Sequence, residues 1–377
     1  MLGPSLAVPP APAAGRAGLG VPPRLALPGH GTTVGGVATA PVAVMVVPGR
    51  IEIEQRPVPR PGPGQVLVEV SAVGVCGSDV HWFTEGRIGE LTVDGPLVLG
   101  HEASGVVVEL GPGASQLQPG QRVAMEPGVP CRRCRACRSG EYNLCPDVRF
   151  FATPPVDGTF ARYVVHDQDF CYPVPDTMSD DAAALIEPLS VGVYAAWKAR
   201  LSVGDRVLVT GAGPIGLLVA AVARRAGAAQ VVVSDTVPSR LALASRMGAT
   251  HVEDVSAGGR SLAGLGADVL VECSGATPAL HAGLRGLREG GRAVVVGMSA
   301  STEVPLPLSY MQRREIELSG TFRYANTYPT AIALASAGDV DLDALVTGHY
   351  SLAQVEEALY ASRRDPLSVK PVVLPGA

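Results

Sequence analysis

The chain has 377 residues, enough for two domains of ordinary size, with 45 Gly, 33 Pro and 47% hydrophobic residues. Its 30 basic and 35 acidic side chains leave a formal charge of −5, which argues against nucleic acid and anionic membranes as main partners, because both need a concentrated basic face. Pro and Gly interrupt every apolar run short of a membrane span, so the chain reads as a soluble protein acting on a neutral or weakly charged small molecule.

Residues 1–40 contain 7 Pro, 8 Gly, Arg16, Arg24 and no acid, too little apolar surface to offset the entropy of ordering them. A disordered tail is expected there; a start codon placed too early accounts for it equally well. Pro9, Pro10 and Pro12 forbid the unbroken apolar stretch of a secretory signal. From Pro41 the pattern is β-rich, with runs over Val66–Val73 and Gly105–Leu110 between turn clusters such as Pro61-Gly-Pro-Gly64 and Gly111-Pro-Gly113. Beyond about Glu187, strand and helix alternate, which predicts a parallel sheet. Strands are predicted over 206–210, 230–234, 251–255, 268–273, 292–297 and 315–319, and helices over 214–226 and 238–248. Six strands make a doubly wound domain. The residues after Phe322 are too few to fold alone and are expected to return to the first lobe.

Gly211-Ala-Gly213-Pro-Ile-Gly216 follows the predicted strand 206–210 and opens a helix, and Asp235 ends the next strand, 19 residues after Gly216. The glycines let the backbone approach a pyrophosphate, the helix N-terminus favours its charge, and the acid accepts hydrogen bonds from ribose hydroxyls. Asp235 would repel a ribose phosphate and so favours NAD over NADP. Arg240, just past it, could instead meet such a phosphate, although ribose or solvent contact is its plainer role.

Seven cysteines are present, and Cys131, Cys134, Cys137 and Cys145 are separated by two, two and seven residues. This is metal-ligand spacing rather than a disulfide framework, and it points to a reducing cytoplasm. Four thiolates close a tetrahedral zinc shell with no open position; an iron–sulfur cluster is the rival, but the spacing differs from its usual runs. Arg132, Arg133, Arg135 and Arg138 interleave with the thiols, as in a nucleic-acid zinc ribbon or, more plainly, as counter-charges on a solvated surface. Upstream, Cys76 and the pair His101-Glu102, with Glu187 later, offer one soft and one borderline ligand plus two carboxylates, a plausible open zinc site. Adjacent residues of a regular strand face opposite ways, so His101 and Glu102 can both ligate only if the backbone bends between them.

Six motifs, Cys76-Gly-Ser-Asp-Val-His81, Gly100-His-Glu-Ala-Ser-Gly105, Tyr142-Asn-Leu-Cys-Pro146, Ala152-Thr-Pro-Pro-Val-Asp-Gly158, Glu187-Pro-Leu-Ser-Val-Gly192 and Phe322-Arg-Tyr324, occur in this order. In them the chain, from about Pro41 to Leu374, resembles the zinc-dependent medium-chain dehydrogenases and, within these, the sorbitol (polyol, or iditol) dehydrogenase branch. The resemblance implies an α/β fold: a β-rich GroES-like catalytic zinc domain over 41–188 and 323–377, and a doubly wound (Rossmann) NAD-binding domain over 189–322. It implies a catalytic zinc held by Cys76, His101 and Glu102, with Glu187 reached through a water or serving as the third ligand in place of Glu102, and a structural zinc on the four cysteines. Ser78 would carry the substrate proton toward solvent, with His81 at the far end of that relay. Arg323, Tyr324 and Glu187 would contact a sugar alcohol, as would Trp82, which stands where a tyrosine is common in animal members. Val296, Gly297, Met298, Thr321, Phe322 and Arg323, with Pro214 and Ile215, would line the cofactor. The stretch 254–266 is short, which implies a reduced outer helix.

The expected activity is NAD-dependent, reversible oxidation of a secondary hydroxyl of a sorbitol-, xylitol- or iditol-like polyol to the ketose, in a cytoplasmic homo-oligomer, usually a tetramer. A butanediol or threonine dehydrogenase of the same family shares every zinc and cofactor residue, and only Arg323, Tyr324 and Glu187 favour a polyol. A non-enzymatic zinc-binding module would instead show salt-sensitive binding and form no NADH.

Overall fold

A computed structural model describes residues 32–34, 37–256, 261–299 and 301–377. Most of the segment expected to be a tail therefore lies outside the described residues. Its end does not behave as one: the strand Val37–Val47 pairs antiparallel with Arg50–Pro57, four residues upstream of the expected boundary. Ala40 is buried there with Leu67 and Tyr163, and this apolar contact explains why the sheet starts early.

The first lobe is built on a seven-stranded sheet. Its order is Cys171–Pro173, Arg122–Met125, Glu102–Leu110, Gln65–Gly74, Lys370–Leu374 and Val346–Ser351, with Tyr163–Asp167 also pairing on Gln65–Gly74. Val66, Val68, Val70 and Val73 are buried beside Val107, Val123 and Met125 in this lobe's core. The last two strands come from the C-terminal segment, and Val372 and Val373 sit opposite Gly74 and Val73. That pairing delivers Lys370 to the end of the strand that leads into Cys76.

The second lobe is a six-stranded, all-parallel sheet ordered His251–Asp254, Gln230–Asp235, Arg206–Thr210, Ala267–Glu272, Leu287–Val295, Glu317–Gly320. The strand order reverses beside Arg206–Thr210, the position at which doubly wound sheets bind ligands. The fifth strand starts earlier than expected, since Leu287 pairs with Ala267 before a register shift. No described residue between Asp254 and Ala267 is helical, residues 257–260 lie outside the described set, and Leu262 is buried against Leu208, Leu270 and Leu284 in place of an outer helix.

The helix Ile186–Lys198 spans the expected domain boundary. Its buried face, including Leu189, Val193 and Ala196, shares one core with Leu217, Leu218 and Ala221 of the helix Pro214–Arg225. Tyr324, Tyr328 and Ala331 complete that core. No described helix is long and apolar enough to cross a membrane.

Candidate active site

Cys76 caps the N-terminus of the helix Gly77–Glu85, and its backbone N–H donates to Asp79 Oδ2 at 3.1 Å. The other oxygen, Asp79 Oδ1, accepts from Gly100 N–H at 3.0 Å and faces His101 Nδ1 at 3.3 Å. Asp79 is fully buried, and by engaging Nδ1 it leaves His101 Nε2 to point at the site, the usual orientation of a histidine ligand by an outer carboxylate. Burial alone would lower the His101 pKa, yet Asp79 and Cys76 raise it well above its ordinary value.

The bend demanded between His101 and Glu102 is present. Gly100 adopts φ +87°, a side chain there would meet Phe160 at 2.8 Å, and the strand begins only at Glu102. Both side chains thus reach the same place: the ligating atoms of Cys76, His101 and Glu102 lie within 4.8 Å of one another. Glu102 also accepts from Lys370 Nζ at 2.8 Å on each oxygen, and Lys370 donates to Val75 O at 3.0 Å. Glu187 is buried in the first turn of its helix and outside that three-residue group; its Oε1 accepts from Tyr324 Oη at 2.7 Å. Burial, reinforced by the neighbouring Glu102 charge, pushes Glu187 up to about 7.

A cleft of about 300 Å³ opens from this group toward the second lobe. Cys76, Ser78, Glu102 and Lys370 line it from one side and Gly213, Pro214, Ile215, Arg240, Val296, Gly297 and Met298 from the other. Gly211 N–H donates to Ser234 O at 2.8 Å, and Gly213 caps the helix Pro214–Arg225. Any Cβ on Gly216 would sit 1.8 Å from Gly211 O, so this turn tolerates only glycine there. The carboxylate of Asp235 accepts from Ala212 N–H at 2.6 Å and Val237 N–H at 2.9 Å. Thr321 is tied to the sheet through its N–H to Val295 O at 3.0 Å, while Phe322 and Met298 are more than half exposed.

Arg323 lies at φ 51°, with its guanidinium 3.8 Å from the centre of the Phe150 ring and 4.8 Å from that of Phe322. Burial lowers its pKa to about 10, against the opposing pull of Tyr324 and Glu187. The Phe150 ring also stands 5.7 Å from the His101 ring. His81 is half-exposed and pairs with Glu85 at 3.0 Å, outside the lining of the cleft. Trp82 is buried in the first lobe's apolar cluster beside Val80 and Phe83.

The thiols of Cys131, Cys134, Cys137 and Cys145 form a second group within 4.8 Å. Backbone N–H groups point at sulfur, Cys131 N–H to Cys145 at 3.3 Å and Cys137 N–H to Cys134 at 3.5 Å. The backbone N–H groups of Arg133 and Cys134 hold Cys131 down to about 6, whereas burial pushes Cys137 up to about 12. Arg132 is drawn to Asp167 and Asp169, at 2.8 and 3.0 Å.

Residues 62–176 match the alcohol dehydrogenase GroES-like domain family, and residues 214–337 match the zinc-binding dehydrogenase family. A sorbitol dehydrogenase of Bacillus subtilis is 45% identical over 323 residues, 84% of this chain and 92% of that protein. The chain belongs to the sorbitol dehydrogenase family of zinc-dependent medium-chain dehydrogenases. A sorbitol dehydrogenase of Gallus gallus is 43% identical over 84% of this chain and 91% of its own. The structure of L-idonate 5-dehydrogenase from Escherichia coli superposes with a TM-score of 0.84 at 31% identity, covering 89% of this chain and 98% of the other.

As a member of this family, the dehydrogenase is a zinc- and NAD-dependent alcohol oxidoreductase with a GroES-like lobe and a Rossmann sheet. Its donor sets fit those groups. Four thiols grouped together suit a structural zinc, and a thiol, an imidazole and a carboxylate grouped together, the thiol and carboxylate at the edge of a cleft, suit a zinc with one position left for substrate. Three residues of the dehydrogenase's site escaped the sequence reading: Asp79, Lys370 and Phe150. Only Asp79 had a local signal, an acid three residues into a helix capped by Cys76.

Proposed function

We propose that this dehydrogenase oxidises a secondary hydroxyl of a sugar alcohol, of sorbitol, xylitol or iditol type, to the ketose, with NAD as hydride acceptor. The observation that carries the reading is a polar cluster near the three-ligand group: Glu187, Tyr324 at 2.7 Å from it, and Arg323 over the Phe150 ring that also stands beside His101. A simple alcohol has no use for a buried carboxylate, phenol and guanidinium together, whereas a polyol presents several hydroxyls that need donors and acceptors at once.

Cys76, His101 and Glu102 hold the catalytic zinc in this reading, with Glu187 reached through a water or as the alternative third ligand; Cys131, Cys134, Cys137 and Cys145 hold the structural one. When bound, zinc supplies Lewis acidity to the reacting hydroxyl. Lys370 neutralises part of the Glu102 charge, Ser78 accepts the hydroxyl proton, and Arg323 donates to a neighbouring substrate oxygen. His81 would receive the proton last, which requires its bond to Glu85 to open. Asp235 accepts from ribose hydroxyls once Ala212 N–H releases it, favouring NAD over NADP, with Arg240 beside the same cleft. The zinc domain is assigned to 37–188 and 323–377 and the cofactor domain to 189–322, in a cytoplasmic homotetramer; the thiol-rich metal group supports a reducing compartment.

NADH formation across sorbitol, xylitol, iditol, 2,3-butanediol and threonine, with and without chelator, tests this. Chelator-sensitive turnover of the polyols is expected. Equal rates on butanediol or threonine would replace the polyol by a simple secondary alcohol.

A further inference from the structure

The turn that carries Arg323 and Tyr324 is gripped from two sides. On the cofactor side, Thr321 N–H donates to Val295 O at 3.0 Å, which extends the parallel sheet. On the other side the side chains of Arg323 and Tyr324 meet Phe150, Thr153 and Glu187, while three hydrogen bonds on the turn come from the arm between Cys137 and Cys145. Asn143 Nδ2 donates to Phe322 O at 2.8 Å, Asn326 N–H donates to Tyr142 Oη at 2.8 Å, and Asn326 Nδ2 donates to Gly140 O at 2.8 Å. Tyr142 Oη in turn donates to the buried Glu126 at 2.8 Å, which anchors the arm in the first lobe.

The gripped turn is conformationally unfavourable by itself. Arg323 lies in the left-handed region at φ 51°, which a long side chain occupies at a cost that surrounding contacts must offset, and Asn326 at φ 59°, which asparagine adopts more readily. Asn143 shows the same bias. It is 4% exposed, its Oδ1 has no hydrogen-bond partner, and its amide nitrogen reaches Phe322 O. A buried amide with its oxygen unpaired is costly, so its placement follows what its nitrogen reaches: Phe322 O at 2.8 Å, with a longer bond to Tyr194 Oη at 3.4 Å.

We infer that the Cys137–Cys145 arm is the positioning element for substrate recognition: Asn143, Tyr142 and Asn326 aim Arg323 and Tyr324 at the alcohol, while the sheet independently holds the cofactor side. The four thiols fix both ends of the arm. This rests on the reading of Arg323 and Tyr324 as polyol contacts.

Two variants of the intact enzyme test it. Asn143→Leu keeps bulk and removes the donor to Phe322; Asn326→Gly keeps the left-handed backbone and removes the grip on Gly140. Each is expected to raise the KM of the best polyol about tenfold, the effect of one lost hydrogen bond, with the Kd for NADH within about twofold of wild type. Zinc content should match wild type, the thermal midpoint should fall by no more than a few degrees, and hydrogen exchange of the amides of residues 322–326 should accelerate. Unchanged polyol KM with wild-type exchange overturns the inference, as does an equal rise in polyol KM and NADH Kd. Should the wild type oxidise no polyol, the proposed function fails, and exchange at 322–326 alone decides the role of the arm: faster exchange supports it and wild-type protection overturns it.

Discussion

Cys76, His101 and Glu102 are recognisable in the sequence by residue type, but the groups that tune them are not. Asp79 reaches Gly100 N–H across 21 residues, and Lys370 reaches Glu102 across 268, distances over which no local pattern operates. Both are buried charges, and a buried charge is retained only with partners that compensate its desolvation. Ser78 belongs to the same short helix as Cys76 and lines the cleft, so its hydroxyl is placed by the residues that place the thiol. Ser78→Ala is expected to lower turnover roughly a hundredfold or more, as loss of a positioned proton acceptor does, with unchanged zinc by metal analysis. Loss of zinc in that variant would make the residue's role structural. Trp82 illustrates the opposite limit: the resemblance pointed it at substrate, and it is packed among Val80 and Phe83.

Elements, once formed, converge on groups whose ionisation the sequence does not disclose. Glu126 follows the strand Arg122–Met125 and is almost wholly buried; its oxygens accept from Tyr142 at 2.8 Å and Tyr172 at 3.0 Å. Burial outweighs both phenols and pushes it from 4.5 up to about 7. Between these pH values the folded state keeps a proton that the unfolded state has released, so this group's stability contribution is fully present below about 4.5 and is lost as pH rises through 7. The loss amounts to about 3 kcal/mol by the ordinary conversion of a pKa difference. Glu126→Gln is therefore expected to flatten the decline: urea midpoints from pH 5 to 8 should diverge, the wild type falling relative to the variant. Parallel profiles would show that Glu126 is not the group responsible. The elements around this site were not legible in the sequence; those of the second lobe largely were, 206–210 and 214–225 almost to the residue, because buried parallel strands are continuous Val-rich runs and the helix carries Pro at its start.

At the scale of the whole molecule, the cleft exists only where the two lobes meet, with Cys76, Ser78, Glu102 and Lys370 on one wall and Gly213, Pro214 and Ile215 of the glycine turn on the other. A cofactor bound between them stabilises the fold by mass action. NADH at about a hundred times its Kd is expected to add about 2.7 kcal/mol, read as a rise in thermal midpoint. NADPH at the same concentration should shift it much less if Asp235 meets the ribose as proposed, since its carboxylate would repel a ribose phosphate; an equal NADPH shift would assign Arg240 the deciding role. The sequence by itself determined the two-lobe order, the dinucleotide turn, the four-thiol group and the candidates for the open metal group, since each depends on residue type at short spacing. Only the tertiary structure decided that His101 and Glu102 share a face, that Lys370 neutralises Glu102, and that the four-cysteine arm grips the turn bearing Arg323 and Tyr324. Those contacts join residues far apart in the chain, and they form only when burial of the shared core brings their elements together.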